Sequence, residues 1–147
     1  MLACSSTKIP KSCKTFANSE AIMPITYSRY FAENEIRVSQ SITNRSNPSI
    51  SSLANGGFVV TWEADTGQSN IYAEIYNSNG DVVVSEFKVN TFDIAQLSQP
   101  YVSGLSDDKF VVVWTSNVLN NTYRSQDGSY SGIYGQIFDV EGMAVGD

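Results

Sequence analysis

The side chains in this sequence that could do chemistry are carboxylates, amides and aromatic rings; histidine, the commonest general base and metal ligand near neutral pH, is absent. The nearest approach to a carboxylate cluster is Glu63, Asp65 and Glu74. Glycoside hydrolysis needs two carboxyl groups about 5–10 Å apart across a cleft. Further along the chain the positions equivalent to Glu63 and Glu74 are Thr115 and Gln136, so these acids are expected to be solvated rather than catalytic. No nucleophile elbow, P-loop or dinucleotide-binding glycine pattern occurs.

A second group lies in the long connection between Thr115 and Gly132, which holds Asn117, Asn120, Asn121, Tyr123, Arg124, Gln126, Asp127, Ser129 and Tyr130. Rings stack on sugar faces, and amides, carboxylates and hydroxyls read sugar hydroxyls. Tyr123, Gln126, Asp127, Ser129 and Tyr130 are therefore the candidate ligand-binding residues. The competing reading is a solvated loop in which Asp127-Gly128 only makes a turn. Calcium would want six to eight oxygens and several carboxylates. The stretch Asp127-Gly128-Ser129 offers one, so no cofactor is expected and calcium is the single candidate metal. Trp62 and Trp114 fall at equivalent places and could form a paired platform, although equivalent aromatic positions in a repeat are expected to be core. Asn44-Arg45-Ser46 and Asn120-Asn121-Thr122 match the N-glycosylation pattern and would suit secreted surface loops. Cys4 and Cys13 could pair in an oxidising compartment or stay free, and no further ligands accompany them for zinc.

The elements that must position these groups are strands. A chain of 147 residues suits one domain, and a hydrophobic share of 41 % is enough for a core. Charged residues make up only 16 %, and few Glu and Lys means few long helices. The net charge of −6 is uneven, because Lys8, Lys11, Lys14 and Arg29 oppose Glu20 alone in the first thirty residues. The acidic remainder would repel a phosphate backbone, so no nucleic-acid partner is expected. No apolar run is long enough to span a membrane. Met1-Leu2-Ala3-Cys4 resembles a lipoprotein cleavage site without the apolar stretch that should precede it, and residues 1–32 read as a tail, with 22–38 as the candidate last strands of a degenerate preceding copy.

That word, copy, rests on an internal repeat. Glu35-Ile36-Arg37-Val38 returns as Glu86-Phe87-Lys88-Val89. Pro48-Ser49-Ile50-Ser51-Ser52-Leu53 returns 52 positions on as Pro100-Tyr101-Val102-Ser103-Gly104-Leu105, and Phe58-Val59-Val60-Thr61-Trp62 as Phe110-Val111-Val112-Val113-Trp114. Ile71-Tyr72-Ala73-Glu74-Ile75-Tyr76 returns 62 positions on as Ile133-Tyr134-Gly135-Gln136-Ile137-Phe138, and Asn79-Gly80 as Glu141-Gly142. The extra length sits in the connection after the tryptophan, where loop growth costs little. The units are residues 33–85 and 86–147.

Each unit reads as a four-stranded antiparallel meander, β-branched and aromatic runs alternating with turn residues. Asn79-Gly80 marks a hairpin because both residues tolerate positive φ. Phe58, Val60 and Trp62 share one face and Val59 and Thr61 the other; both are apolar, so each sheet expects cover on two sides.

The blocks Gly57-Phe58-Val59-Val60-Thr61-Trp62, Ile133-Tyr134-Gly135-Gln136-Ile137-Phe138 and Glu86-Phe87-Lys88-Val89-Asn90-Thr91 resemble a tandem repeat of large secreted or cell-surface, adhesin-like proteins of bacteria (RTX-type) and ciliates. The resemblance covers roughly residues 34–147 and implies β-propeller-like blades, with no catalytic residues to carry over. The expected fold is all-β, two blade-like units of an incomplete ring, with a β-sandwich as the alternative. The expected function is a non-catalytic module of an extracellular or cell-surface protein, for adhesion or for binding carbohydrate or protein. Further repeat copies or a homo-oligomer would cover the open blade faces. A fragment of a propeller glycoside hydrolase and a ligand-free structural spacer are the alternatives.

Overall fold

The computed structural model describes residues 35–39, 44–65, 67–92, 96–117 and 130–146. Among them there is no helix, and the strands form two four-stranded antiparallel meanders. The first sheet comprises β1 (Asn44–Ser52), β2 (Phe58–Asp65), β3 (Ser69–Tyr76) and β4 (Val82–Lys88), paired in that order. The second comprises β5 (Gln96–Leu105), β6 (Lys109–Asn117), β7 (Ser131–Asp139) and β8 (Ala144–Val145), also in chain order. The fourth strand of the first sheet thus contains Glu86-Phe87-Lys88, with which the second sequence unit opens.

The two sheets are built alike down to their irregularities. Phe58 lies opposite Tyr76 with rings stacked 4.8 Å apart, and Phe110 lies opposite Phe138 at 5.5 Å. Register shifts between Ser46 and Ser49 in β1, and between Ser98 and Tyr101 in β5. Each bulge holds a non-glycine residue at positive φ, Asn47 at 50° and Gln99 at 55°, followed by Pro48 or Pro100. A bulge is where a strand tolerates proline, since the missing N–H leaves no gap in the ladder.

The β3–β4 turn differs from the sequence expectation in its chemistry. Asn79 does not take positive φ; only Gly80 does, at 86°. The Gly80 N–H donates to the Asn77 carbonyl at 3.1 Å, so a type I turn ends in a glycine bulge. The cap is Asn77, whose Oδ1 accepts the N–H groups of Asn79 and Asp81, both at 2.9 Å. The β7–β8 turn repeats this with Asp139, which accepts from Glu141 at 3.1 Å and Met143 at 2.7 Å.

Each sheet has a tryptophan face (Phe58, Val60, Trp62; then Phe110, Val112, Trp114) and an isoleucine face (Val59, Thr61, Ile71, Ala73, Ile75; then Val111, Val113, Ile133, Gly135, Ile137), as the pairing register dictates. The isoleucine face of the first sheet packs on the tryptophan face of the second. Val59, Ile71, Ala73 and Ile75 form one core with Leu97, Phe110, Val112, Trp114 and Phe138, closed at one edge by Phe87 and Val89. The sheets therefore stack front to back rather than face to like face.

Polar contacts fix the stack. Ser69 Oγ donates to the Leu97 carbonyl at 2.6 Å, the Gln99 N–H to the Glu63 carboxylate, and Ser51 Oγ accepts the Gly104 N–H at 2.8 Å. Reading along β5, the partners move from β3 to β2 to β1. Two strand spacings of travel over seven residues is an oblique crossing of roughly 20–30°, the range of aligned sheet packing. At its far end β5 comes so close to β1 that a Cβ on Gly104 would fall well inside 3.0 Å of the Ser52 carbonyl oxygen.

Candidate functional site

The loop group named from the sequence is seen here only at its end. Tyr123, Gln126, Asp127 and Ser129, with the candidate calcium ligands, lie outside the described residues; Tyr130 is described and is exposed. Among the described residues no three His, Cys, Asp or Glu side chains converge. Cys4 and Cys13 also lie outside.

The three carboxylates do not come together, and two are not the solvated acids expected. Glu63 lies on the isoleucine face of β2, half-buried, where it accepts from Asn47 Nδ2 at 2.7 Å, Ser46 Oγ at 3.3 Å and the Gln99 N–H. It thereby ties the bulge of its own sheet to that of the next. Glu74 lies on the opposite, tryptophan face of β3 and is buried, accepting the hydroxyl of Tyr76. Burial, followed by that hydrogen bond and the nearby negative charge, raises the pKa of Tyr76 above the ordinary phenol value. Asp65 accepts the Gly67 N–H at 2.9 Å in the β2–β3 turn. A hydrolytic pair needs both carboxylates on one cleft; here the sheet separates Glu63 from Glu74.

Trp62 and Trp114, 3 % and 7 % exposed, are core residues and offer no paired platform. Trp62 carries instead the guanidinium of Arg45, 5.2 Å from its ring centroid and 5.9 Å from that of Tyr72. Arg45 reaches across β2 and β3 to Glu86 on β4 at 2.8 Å, clamping the tryptophan face of the first sheet from edge to edge. Beside it is a cleft of about 190 Å³ walled by Val38, Ser46, Pro48, Val60 and Trp62. The sequence hides this role, since Arg45 corresponds to Leu97 in the second unit and is notable there only for its place in a glycosylation pattern.

The strongest surface feature is the isoleucine face of the second sheet. Ile133 is 74 % exposed and Tyr101 68 %, with Leu105, Val113, Ile137 and Val145 more than one-third exposed around them. In the register these side chains share one face of β5, β6, β7 and β8. A contiguous apolar face of this kind marks an interaction surface. In the first sheet the equivalent Ile71 and Ala73 are fully buried under the second. No helix among the described residues is long and apolar enough to cross a membrane.

These features define an all-β protein of two stacked, four-stranded antiparallel sheets. Against known proteins, no family model matches the chain, and no curated protein and no solved structure matches it.

Proposed function

We propose that the chain is a non-catalytic repeat module of an extracellular or cell-surface protein, serving adhesion or the binding of a carbohydrate or protein ligand. The observation that carries this reading is the front-to-back stacking of two like sheets, the isoleucine face of one on the tryptophan face of the next, with the isoleucine face of the second still open. An arrangement that uses the same interface repeatedly is a scaffold: each unit contacts its neighbours, and loops at the strand ends are left to meet ligands. The close approach of β5 to β1 at Gly104, with the bulkier Phe87, Phe110 and Phe138 elsewhere in the core, fits a stack that narrows toward one edge. Wedge-shaped stacking supports blade-like units of a propeller over a flat sandwich. Placement of Glu63 and Glu74 on opposite faces, each already hydrogen-bonded, supports a binding role over hydrolysis.

The test is binding to a glycan array and to cell-surface protein fractions, by the whole chain and by a variant in which residues 118–129 are replaced with a short Gly-Ser linker. Saturable binding lost with the loop is the expected result. Equal binding by both proteins removes the loop as the ligand site. Turnover of a glycoside substrate, abolished by Glu63→Gln, would replace the reading with an enzymatic one.

A further inference from the structure

We infer that the open isoleucine face of the second sheet is the receiving face for a third repeat unit of the same kind, which docks on it through an apolar, tryptophan-bearing face. This inference rests on reading the chain as a tandem repeat module and names the partner of its open surface.

The first sheet shows what such a face receives. Four apolar pairs recur on the two isoleucine faces, Leu53 and Leu105, Val59 and Val111, Ile71 and Ile133, Ile75 and Ile137, while Thr61 gives way to Val113 and Ala73 to Gly135. In the first sheet they are covered by Phe110, Val112 and Trp114 of the next; in the second Ile133, Ile137 and Leu105 meet solvent. Of the polar groups that index the stack two are kept, while Glu63 and Ser49 give way to Thr115 and Tyr101. Ser51, which accepts the Gly104 N–H at 2.8 Å, corresponds to Ser103, and Ser69, which donates to the Leu97 carbonyl at 2.6 Å, corresponds to Ser131. Both serines lie on the open isoleucine face by register, the Ser103 hydroxyl donating only within its own strand, to the Gly104 carbonyl at 3.4 Å. These serines meet backbone of the docked sheet's first strand in the observed interface, so they specify a strand that crosses β7, β6 and β5 as β5 crosses β3, β2 and β1, and not a loose apolar contact.

The occupant is not the first sheet of a second copy of this chain. Its tryptophan face departs from the docking kind at several places: among them Arg45 stands where the docked face has Leu97, Ser52 where it has Gly104, Glu74 where it has Gln136, and Tyr76 where it has Phe138. That face is also already buried, with Val38 packed on it. Placing the open apolar face on it would bring no matching apolar surface and would strand the Arg45–Glu86 pair away from water. A unit with the Leu97, Phe110, Val112 and Trp114 pattern meets the requirement.

The register of the chain supplies a direct test. In the repeat alignment Ser85 corresponds to Asp147, so a further copy of residues 86–147 joined directly after Asp147 continues β8 as Glu86 continues β4. The whole chain and this extended chain each carry Ile133→Cys, and maleimide labelling at that position is followed by peptide mass spectrometry. The expected result is labelling at least ten-fold slower in the extended chain, restored to the parent rate when Val113→Glu is added to the receiving face. Val113 is partly exposed in the parent, so that variant should fold, as circular dichroism would verify. Equal labelling in parent and extended chains overturns the inference. So does a parent chain that sediments as a dimer, slows its own labelling and loses both with Val113→Glu, since the face would then pair with itself. Failure of ligand binding alongside slowed labelling would remove the ligand reading above and leave this one standing.

Discussion

Replacing Gly104 with alanine tests the stacking of the sheets at its tightest point. The new Cβ would lie well inside 3.0 Å of the Ser52 carbonyl oxygen, a backbone atom held in the β1–β2 ladder that cannot swing aside. Strand β5 must back away from β1 by the better part of an ångström. Overpacking of this sort typically costs about 1–3 kcal/mol. The displacement also stretches the hydrogen bonds from Gly104 N–H to Ser51 Oγ, now 2.8 Å, and from Val102 N–H to Ser49 Oγ, now 3.2 Å. Each such bond contributes about 0.5–1.5 kcal/mol net. With partial relaxation the expected loss is about 2–4 kcal/mol, a large part of a domain's usual margin. Urea unfolding followed by tryptophan fluorescence would measure it, Trp114 reporting from the interface itself. Ser51→Ala in parallel removes one hydrogen bond without the clash and should cost no more than about 1.5 kcal/mol. If Gly104→Ala costs less than Ser51→Ala, the close approach of β5 to β1 is not the contact that sets the stack.

Three further perturbations follow from the same contacts. Glu63→Ala takes the acceptor from Asn47, Ser46 and the Gln99 N–H, and is expected to cost about 1–2 kcal/mol in urea unfolding, with Glu63→Gln recovering part of it; a neutral Glu63→Ala would show that the two bulges are held without it. Asn77→Ala should cost about 1 kcal/mol because two turn N–H groups lose their acceptor, whereas Asn79→Ala should stay within about 0.5 kcal/mol; the reverse order would reject the glycine-bulge turn. The raised pKa of Tyr76 means that the folded chain keeps a proton the unfolded chain releases above pH 10, so its stabilising contribution is full below that value and falls as pH rises. Between pH 10 and 11.5 the parent should lose up to about 1.4 kcal/mol per pH unit more than Tyr76→Phe, and coincident slopes would contradict the buried Tyr76–Glu74 pair.

The strand count and the antiparallel meanders were legible because they depend on local pattern: β-branched runs of strand length and turn residues between them. Apolar residues on both faces, Val59 and Val60 pointing opposite ways, were legible for the same reason, but the cover they led us to expect on both sides is present on the first sheet's isoleucine face and absent from the second's. What pattern could not yield is which face meets which. Nothing local to Ile71 or Ile133 separates one that is wholly buried from one that is 74 % exposed; only the position of its sheet in the stack does. The bulges were hidden for a related reason. Pro48 and Pro100 stood out, but a proline beside a strand reads equally as a strand end, and the deciding fact is Glu63 reaching both bulges from another strand. Glu63 and Arg45 share a lesson about departures from a repeat. Where one copy keeps a charge that the other replaces with Thr115 or Leu97, the charge answers to something outside its own unit's common plan. For Glu63 that is the next sheet; for Arg45 it is the clamp over Trp62 and Tyr72 on a face that docks no second sheet of this pair. The charges that differ between the two sheets thus serve contacts particular to one of them, whereas the matched apolar positions Ile71, Ile75, Phe110 and Val112 pack the two sheets together.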